Sequence, residues 1–226
     1  MDLSPLYISM KVAVTATFLT FFLGLFAAWK VVKLRRFKGL IDGLFTLPMV
    51  LPPTVVGFFL LLLFGKNGLL GQTLEKLALT VVFTWQGAVI ASAVVSFPLM
   101  YRTARGAFEQ MDQTLIYAAR TLGMPERKIF FSVTLPCCWP GVAAGTALSF
   151  ARALGEFGAT TMLAGNIPGR TQTMSLAIYS AVQGNNREKA YLWVAIIMAI
   201  SFVTLLLMNY WAGSQARAKK RAVRDA

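Results

Sequence analysis

The sequence predicts an all-α integral membrane protein that forms a single domain over residues 1–226. Hydrophobic residues make up 57% of the chain and charged residues only 14%, which excludes an ordinary soluble domain. The apolar residues are gathered into runs of about 20, the number that a helix needs to cross a bilayer. The net charge of +13 comes from basic residues in the short segments between these runs, a distribution typical of membrane topology rather than nucleic-acid binding.

Five of these apolar runs are predicted to be transmembrane helices. A further apolar stretch at residues 174–182 is too short to cross the membrane alone. It is consistent with a re-entrant helix, an interfacial helix or part of a sixth span, and the sequence leaves these alternatives open. The five predicted spans are Tyr7–Trp29, Leu44–Phe64, Val82–Tyr101, Trp139–Ala164 and Tyr191–Trp211.

The distribution of lysine and arginine predicts the orientation of the spans. Fifteen of the 22 basic residues lie in three segments: the loop after the first span, the loop after the third span and the tail at residues 213–226. Because cytoplasmic loops are enriched in lysine and arginine, we expect these segments in the cytoplasm and the N-terminus outside. The basic tail also suits contact with anionic lipid headgroups.

Three prolines interrupt the second predicted span. Pro48, Pro52 and Pro53 fall within the sequence LPMVLPPTVVG, where their missing N–H groups must bend or break a helix. In a membrane, broken backbone is tolerated only inside protein or along a wet cavity. The prolines therefore predict either a kink that lines a pathway or a turn at the start of the span, and both remain open.

The loop between the third and fourth spans, residues 112–136, is predicted to form two short helices joined by a turn. Asp112 is a suitable N-cap, because its carboxylate can accept from free N–H groups of the first turn. Gly123 suits the left-handed residue that ends a helix. Pro125 suits the first turn of the helix that follows. An ordinary helical hairpin between two spans would show the same local signals.

The spacing of small residues in this loop carries a resemblance. Ala118-Ala119, three residues, Gly123, nine residues and Val133-Thr134-Leu135-Pro136 resemble the EAA motif of ABC importer permeases, which reads Glu-Ala-Ala, three residues, Gly, nine residues, Ile, any residue, Leu-Pro. Tyr117 replaces the usual glutamate, and valine replaces isoleucine. The resemblance implies a coupling helix that docks on a separate ATPase. The implied ATPase-coupling residues are Tyr117, Ala118, Ala119, Gly123, Leu135 and Pro136.

The fourth predicted span contains two charged residues. Arg152 and Glu156 are four residues apart, so they share a helix face and are predicted to form an ion pair. Charged residues inside a span are costly and mark a functional interior face by default, although a pair that only fixes helix register is the alternative. Thr160 adds a hydroxyl one turn further on. The candidates for a pathway or gate are therefore Arg152, Glu156, Thr160, Pro52 and Pro53.

The segment after the fourth span offers candidate anion contacts. Asn166-Ile167-Pro168-Gly169 predicts a turn, after which Thr171 or Thr173 is suited to cap a short helix. A helix N-terminus presents free N–H groups to an oxyanion, and Arg170 adds positive charge. An outer loop that packs on a partner subunit or on a binding protein is the alternative interpretation of these residues.

Three sequence blocks together resemble a narrower group. LPMVLPPTVVG, the EAA-spaced loop and ARALGEFGAT occur in the order found in molybdate importer permeases and their sulfate and tungstate relatives. The resemblance implies a type I ABC importer permease that works as a homodimer. It also implies two ATPase subunits, an extracytoplasmic substrate-binding protein and import of molybdate by alternating access. Sulfate or tungstate import is the alternative.

The sequence predicts no catalytic chemistry in this chain. It contains no histidine and no G-x-x-x-x-G-K-[ST] motif, and the adjacent Cys137 and Cys138 indicate no disulfide framework. We therefore expect no cofactor or metal, with ATP and Mg²⁺ bound by the partner ATPase. The expected location is the bacterial inner membrane. A carrier or channel that uses no ATPase is a rival hypothesis, under which the spacing of the loop would be a coincidence.

Overall fold

Every regular element that the structure describes is a helix. The structure is a computed structural model that describes residues 2–34, 36–77 and 79–224, with side chains as far as Leu207. The helices are α1 Ser4–Val32, α2 Lys38–Val50, α3 Pro53–Phe64, α4 Leu69–Lys76, α5 Trp85–Glu109, α6 Gln113–Thr121, α7 Glu126–Ile129, α8 Leu135–Leu154, α9 Gly158–Ala164, α10 Met174–Gln183 and α11 Arg187–Arg224. A π-helical turn, Phe130–Thr134, joins α7 to α8.

The long apolar helices lie where the sequence predicts the five spans. In the part of the chain that the structure describes, α1, α5, the helix formed by α7 and α8, and α11 are each long and apolar enough to cross a membrane. The bent pair of α2 and α3 makes a fifth span if it is counted as one. Two of the predicted spans are interrupted in the structure.

The second predicted span, Leu44–Phe64, is broken at its prolines, as the sequence predicts. It consists of α2 and α3, whose axes differ by 109°. Leu51 between them has ψ 144°, the extended conformation that a residue before proline prefers. Pro52 and Pro53 cannot donate backbone hydrogen bonds, so α2 ends and α3 begins with its own first turn. The two prolines therefore form a break between two helices.

The fourth predicted span, Trp139–Ala164, has different bounds in the structure and is interrupted near its end. It begins earlier, because the helix runs from Glu126 through the π turn into α8. It then stops at Leu154, and α9 begins only at Gly158. The break contains Glu156 and Phe157, and Phe157 has φ −127°, outside the helical range. Gly155 and Gly158 flank the break and lower the cost of leaving the helix.

Helix α5 lies at the centre of the bundle and packs against α1, α8, α9 and α2. Ala88, Ala91 and Ala104 of α5 are fully buried, and such small side chains let helices approach closely in a membrane protein. One buried cluster joins α1, α5 and α8 to α10 and α11 around Trp193. Another, around Met100, joins the other ends of α1, α5 and α8. The last joins α3, α5 and α9.

The short apolar stretch at residues 174–182 forms α10, a helix of 10 residues. It packs against α11 and α1, and it buries Met174, Leu176, Ala177 and Ala181 inside the protein. The predicted tail at residues 213–226 is part of the last helix as far as Arg224, where α11 ends, and its remaining two residues lie outside the described residues. At 38 residues, α11 is longer than a bilayer requires, so its basic end extends beyond the apolar part.

The contact between α3 and α9 gives a test of the fold. A Cβ on Gly57 would lie 2.7 Å from the Cα of Ala159, whereas a Cβ on Gly43 of α2 would meet nothing within 4 Å. We therefore expect Gly57→Ala to destabilise the protein by about 1–3 kcal/mol through overpacking. Gly43→Ala should stabilise it by roughly 0.5–1 kcal/mol through helix propensity.

The measurement is thermal unfolding of the two variants in detergent micelles, followed by circular dichroism. Equal shifts of the melting temperature in the same direction would contradict the close packing of α3 on α9.

Candidate functional site

The N-terminus of α6 is capped as the sequence predicts. The Oδ1 atom of Asp112 accepts hydrogen bonds from the backbone N–H of Thr114 at 2.9 Å and from its hydroxyl at 2.6 Å. Hydrogen bonds from the Thr114 hydroxyl and then from its N–H lower the pKa of Asp112 below its ordinary value. The carboxylate is thereby kept charged at the positive end of the helix.

Helix α6 ends at Thr121, and Gly123 turns the chain just after it, as the sequence also predicts. Gly123 has φ +72°, its N–H donates to the Arg120 carbonyl at 2.9 Å, and the next N–H, from Met124, donates to the Ala119 carbonyl at 3.2 Å. This pair of bonds is a Schellman motif, which turns the chain sharply after a helix. The following helix begins one residue later than predicted, with Pro125 at its N-cap rather than in its first turn.

Most of α6 is left uncovered by the rest of the chain. Ala118 is exposed, and so are the large side chains of Leu115, Tyr117 and Leu122, the last of these at 81%. Only Ala119 is buried among the residues of this helix, and it holds α6 against the protein. The helix therefore presents apolar and aromatic side chains outward, a surface suited to contact with another chain.

Leu135 and Pro136, at the end of the same loop, lie where the π turn meets α8. The N–H of Leu135 donates to the carbonyl of Phe130, five residues earlier, as π-helical geometry requires. In a regular helix the ring of Pro136 would clash with the carbonyl of Ser132, four residues before it. The wider π turn avoids this clash, so the Leu-Pro pair explains a feature that the sequence analysis missed.

The predicted ion pair of Arg152 and Glu156 is confirmed, but it spans a helix break. Arg152 Nη1 lies 2.7 Å from Glu156 Oε2, outside good hydrogen-bond alignment. The other carboxylate oxygen, Oε1, accepts from the N–H of Ala159 at 2.8 Å and so caps α9. Glu156 is only 2% exposed, while the Arg152 side chain is 33% exposed. One carboxylate thus joins the end of α8 to the start of α9.

The two helix breaks lie against each other. A Cβ on Gly158 would be 3.0 Å from Cβ of Pro53 and 3.2 Å from the N atom of Thr54, so α9 begins directly beside the start of α3. Pro52 is exposed at this point. Thr160 is fully buried on α9. The structure therefore brings the gate candidates at the start of α3, Pro52 and Pro53, close to those around the start of α9, although the two groups are about 100 residues apart in the sequence.

The anion-contact candidates do not share one surface. Arg170 is exposed, but Thr171 and Thr173 are buried. The Thr171 hydroxyl accepts from the N–H of Ile167 at 3.0 Å. Thr173 occupies the N-cap position of α10 without a capping bond, and the N–H of Met174 donates instead to the Ser9 hydroxyl at 2.8 Å.

A polar network that the sequence analysis missed holds α2 against α5. Tyr101 donates its hydroxyl to Oδ1 of Asp42 at 3.0 Å, and Arg105 pairs with the same oxygen. Arg105 Nε also lies 2.9 Å from Glu109 Oε1, which Lys38 Nζ approaches to 2.8 Å. Arg105 and Glu109 are four residues apart on one helix, a spacing from which their ion pair could have been predicted.

Among the described residues, no three His, Cys, Asp or Glu side chains form a metal-binding group.

Comparison with known proteins identifies the family. Residues 20–214 match the family described as the inner membrane component of binding-protein-dependent transport systems. The chain belongs to this family. It is therefore a multi-pass permease of the bacterial inner membrane, as the sequence predicts.

Individual relatives match over nearly the whole chain. The molybdenum transport system permease protein ModB of Haemophilus influenzae is 41% identical over 97% of this chain and 96% of its own length. That of Escherichia coli is 43% identical over 91% of each chain. The sulfate transport system permease protein CysT of Escherichia coli is 39% identical over 82% of this chain and 68% of its own length.

Solved structures confirm the fold. A chain of the MetNI methionine ABC transporter superposes with a TM-score of 0.75 at 14% identity, covering 93% of this chain and 94% of that chain. A chain of a bacterial ABC transporter that imports alginate superposes with a TM-score of 0.73 at 16% identity, covering 94% and 79% of the two chains. The fold is therefore that of a type I ABC importer permease, as the sequence analysis predicts.

The left-handed turn at Gly123 gives a test of the loop. A Cβ at this position would meet nothing within 4 Å, so Gly123→Ala should cost only conformational energy, about 1–2 kcal/mol for a left-handed alanine. We expect faster amide hydrogen exchange throughout α6, measured by mass spectrometry. Gly106→Ala is the matched control, because its site is equally open but lies inside α5. Equal exchange in the two variants would contradict a role for the turn in holding α6.

Proposed function

We propose that the protein is the membrane-spanning subunit of an ATP-driven importer of molybdate. The similarity to molybdenum transport permeases at 41–43% identity, over nearly the full length of both chains, is the observation that carries this proposal. Sulfate is the second candidate solute, because sulfate permeases are 39% identical. The chain covers only 68% of that sulfate permease, against 91–96% of the molybdenum permeases, which favours molybdate. Tungstate is a further alternative to molybdate.

In this proposal the permease itself performs no covalent chemistry and binds no cofactor. A separate ATPase binds ATP and Mg²⁺ and docks on α6, whose uncovered surface includes Tyr117, Ala118 and Leu122. Gly123 and the Leu135-Pro136 pair set the direction in which this helix leaves and re-enters the bundle. Two copies of the chain, two ATPase subunits and an extracytoplasmic binding protein form the complete importer.

The proposed orientation has the loop that carries α6 in the cytoplasm, where it meets the ATPase, with the N-terminus outside and the basic end of α11 inside. The basic residues of the first and third loops and of the tail support this orientation, since cytoplasmic loops are enriched in lysine and arginine.

The adjoining helix breaks are the proposed gate. Glu156 and Arg152 hold the end of α8 to α9, and α9 in turn packs on α3 through Gly158 and Pro53. Short helices joined at such breaks can move as units, while continuous spans resist bending. Alternating access then requires that α9 and α3 shift together when the ATPase moves α6. Pro52 lies exposed at this junction, and Thr160 is fully buried on α9.

The loop before α10 is the proposed outer contact. Arg170 is its exposed charged member and can meet an oxyanion or the binding protein at the surface. Thr171 supports the loop from inside, because its hydroxyl accepts from the N–H of Ile167, and Thr173 is buried at the N-cap of α10.

The proposed function is tested by uptake into proteoliposomes that contain this chain with its co-expressed ATPase and binding protein. Molybdate, tungstate and sulfate are offered separately, with ATP or a non-hydrolysable analogue inside. We expect ATP-dependent uptake of molybdate that exceeds that of sulfate. Uptake of sulfate alone would retain the mechanism and change the solute. Equal uptake with the analogue, or with no ATPase present, would show an ATPase-independent carrier.

The gate is tested with variants that each remove one charge, of which Glu156→Gln also keeps the shape of the side chain. Arg152→Gln leaves the buried Glu156 carboxylate unpaired, which costs up to about 3–5 kcal/mol, so we expect at least a roughly tenfold loss of uptake. Glu156→Gln retains an acceptor for the Ala159 N–H, so it tests the charge separately from the cap. The double variant should retain more uptake than Arg152→Gln alone, because no unpaired charge stays buried. Normal uptake by both single variants, at normal expression, would refute the gate.

A further inference from the structure

A cluster of charged residues joins the end of α1 to the loop that carries α6. Lys33 follows α1 directly, and its Nζ lies 3.2 Å from Oε2 of Glu126, which begins α7. The other oxygen of Glu126, Oε1, accepts from Nε of Arg120 in α6 at 2.7 Å. The carboxylate of Glu126, in α7, therefore contacts one side chain at the end of α1 and another in α6.

Aromatic contacts lie beneath this cluster. The ring centroids of Trp29 in α1 and Phe130 in the π turn are 5.1 Å apart, and Lys33 Nζ is 4.1 Å from the centre of the Trp29 ring. Lys33 is thus held between an aromatic ring and a carboxylate. Ile129, next to Phe130, is only 2% exposed, so the start of the fourth span is packed where α1 ends.

The cluster is poorly suited to stabilising the fold as a whole. The side chains of Lys33 and Glu126 are 45% and 49% exposed, and exposed ion pairs contribute little to global stability. What distinguishes the cluster is that it joins two segments that are far apart in the chain. α7 continues through the π turn into α8, whereas its connection to α1, 93 residues earlier in the chain, depends on side chains alone.

We propose that Glu126 fixes this loop to the end of α1, so that α1, α6 and α7 move as one body during transport. The inference rests on the proposed function, because it assumes that an ATPase drives α6. Glu126 is then a positioning residue: it acts through Lys33 and Arg120 and needs no contact with the solute. The ATPase would in this way move the first span as well as the fourth.

A reversible cross-link tests whether the two parts move together. Lys33→Cys/Glu126→Cys is prepared in a background with Cys137→Ser and Cys138→Ser, since these are the two native cysteines. The assembled complex is treated with a short bis-methanethiosulfonate reagent, and molybdate uptake and ATP hydrolysis are measured before and after reduction. Lys33→Cys alone, treated in the same way, controls for modification without a link.

We expect the linked complex to hydrolyse ATP and to take up molybdate, with less ATP hydrolysed per molybdate than after reduction, because the link replaces the contact that the two cysteine substitutions remove. Loss of hydrolysis or uptake on linking, with recovery on reduction, would overturn the inference, and so would an unchanged ratio or failure of the pair to cross-link. If the complex with unmodified Lys33 and Glu126 takes up no molybdate, the proposed solute is contradicted, while the comparison of hydrolysis rates still decides whether α1 and the loop move together. Failure of the unmodified chain to assemble with an ATPase would contradict the proposed function itself.

A second variant tests the contribution of the carboxylate. Glu126→Gln should raise the ATP hydrolysed per molybdate imported by roughly twofold to fivefold, the size of effect that exposed ion pairs support. The amount of ATPase that co-purifies should stay unchanged. Glu75→Gln is the matched control, because it removes another exposed pair, with Lys66 at 3.8 Å, far from the loop. An unchanged ratio in Glu126→Gln would overturn the role of Glu126.

Discussion

Backbone hydrogen bonding in apolar surroundings is the constraint on which the rest of this structure depends. A continuous helix satisfies its own N–H and carbonyl groups, but a break inside the bilayer leaves several of them without partners. Two of the predicted spans contain a break in the part of the chain that the structure describes. At the first, the N–H groups of Val55 and Val56 both bond to the Pro52 carbonyl and start α3. At the second, the carboxylate of Glu156 binds the N–H of Ala159. The buried charge is thus explained by backbone chemistry before any role in transport is considered.

The breaks also explain how a small chain can combine stability with movement. Helices α1, α5 and α8 share buried clusters along their lengths and form a firm body. By contrast, α3 and α9 are short, and they pack on each other through glycines that allow no additional atom between them. Polar networks connect these parts at their ends: Asp42 and Arg105 hold α2 to α5, and Glu126 holds the loop to α1. A shift of the loop can therefore reach the interior through a few defined contacts.

The features that the sequence predicted correctly are those set by local chemistry or by composition. Apolar length located the spans, and the caps at Asp112 and Gly123 follow from the conformational preferences of single residues. The break at Glu156 was missed because the surrounding residues are apolar and fit a continuous span. Local sequence patterns also could not predict contacts between residues that are distant in the chain. Arg105 meets an aspartate 63 positions away, and Met174 bonds to a serine 165 positions away, so only the folded chain shows these partners.

The π turn at Phe130–Thr134 has a geometric consequence for the loop. A helical residue advances by about 100° around the axis, so the extra residue in a π turn rotates everything before it by about that angle relative to α8. The rotation of α7, and of the loop that carries α6, about the axis of α8 therefore depends on one widened turn, which Pro136 requires. Shortening this turn by a single residue would leave α8 in place and turn α7 and the loop toward a different side of the molecule.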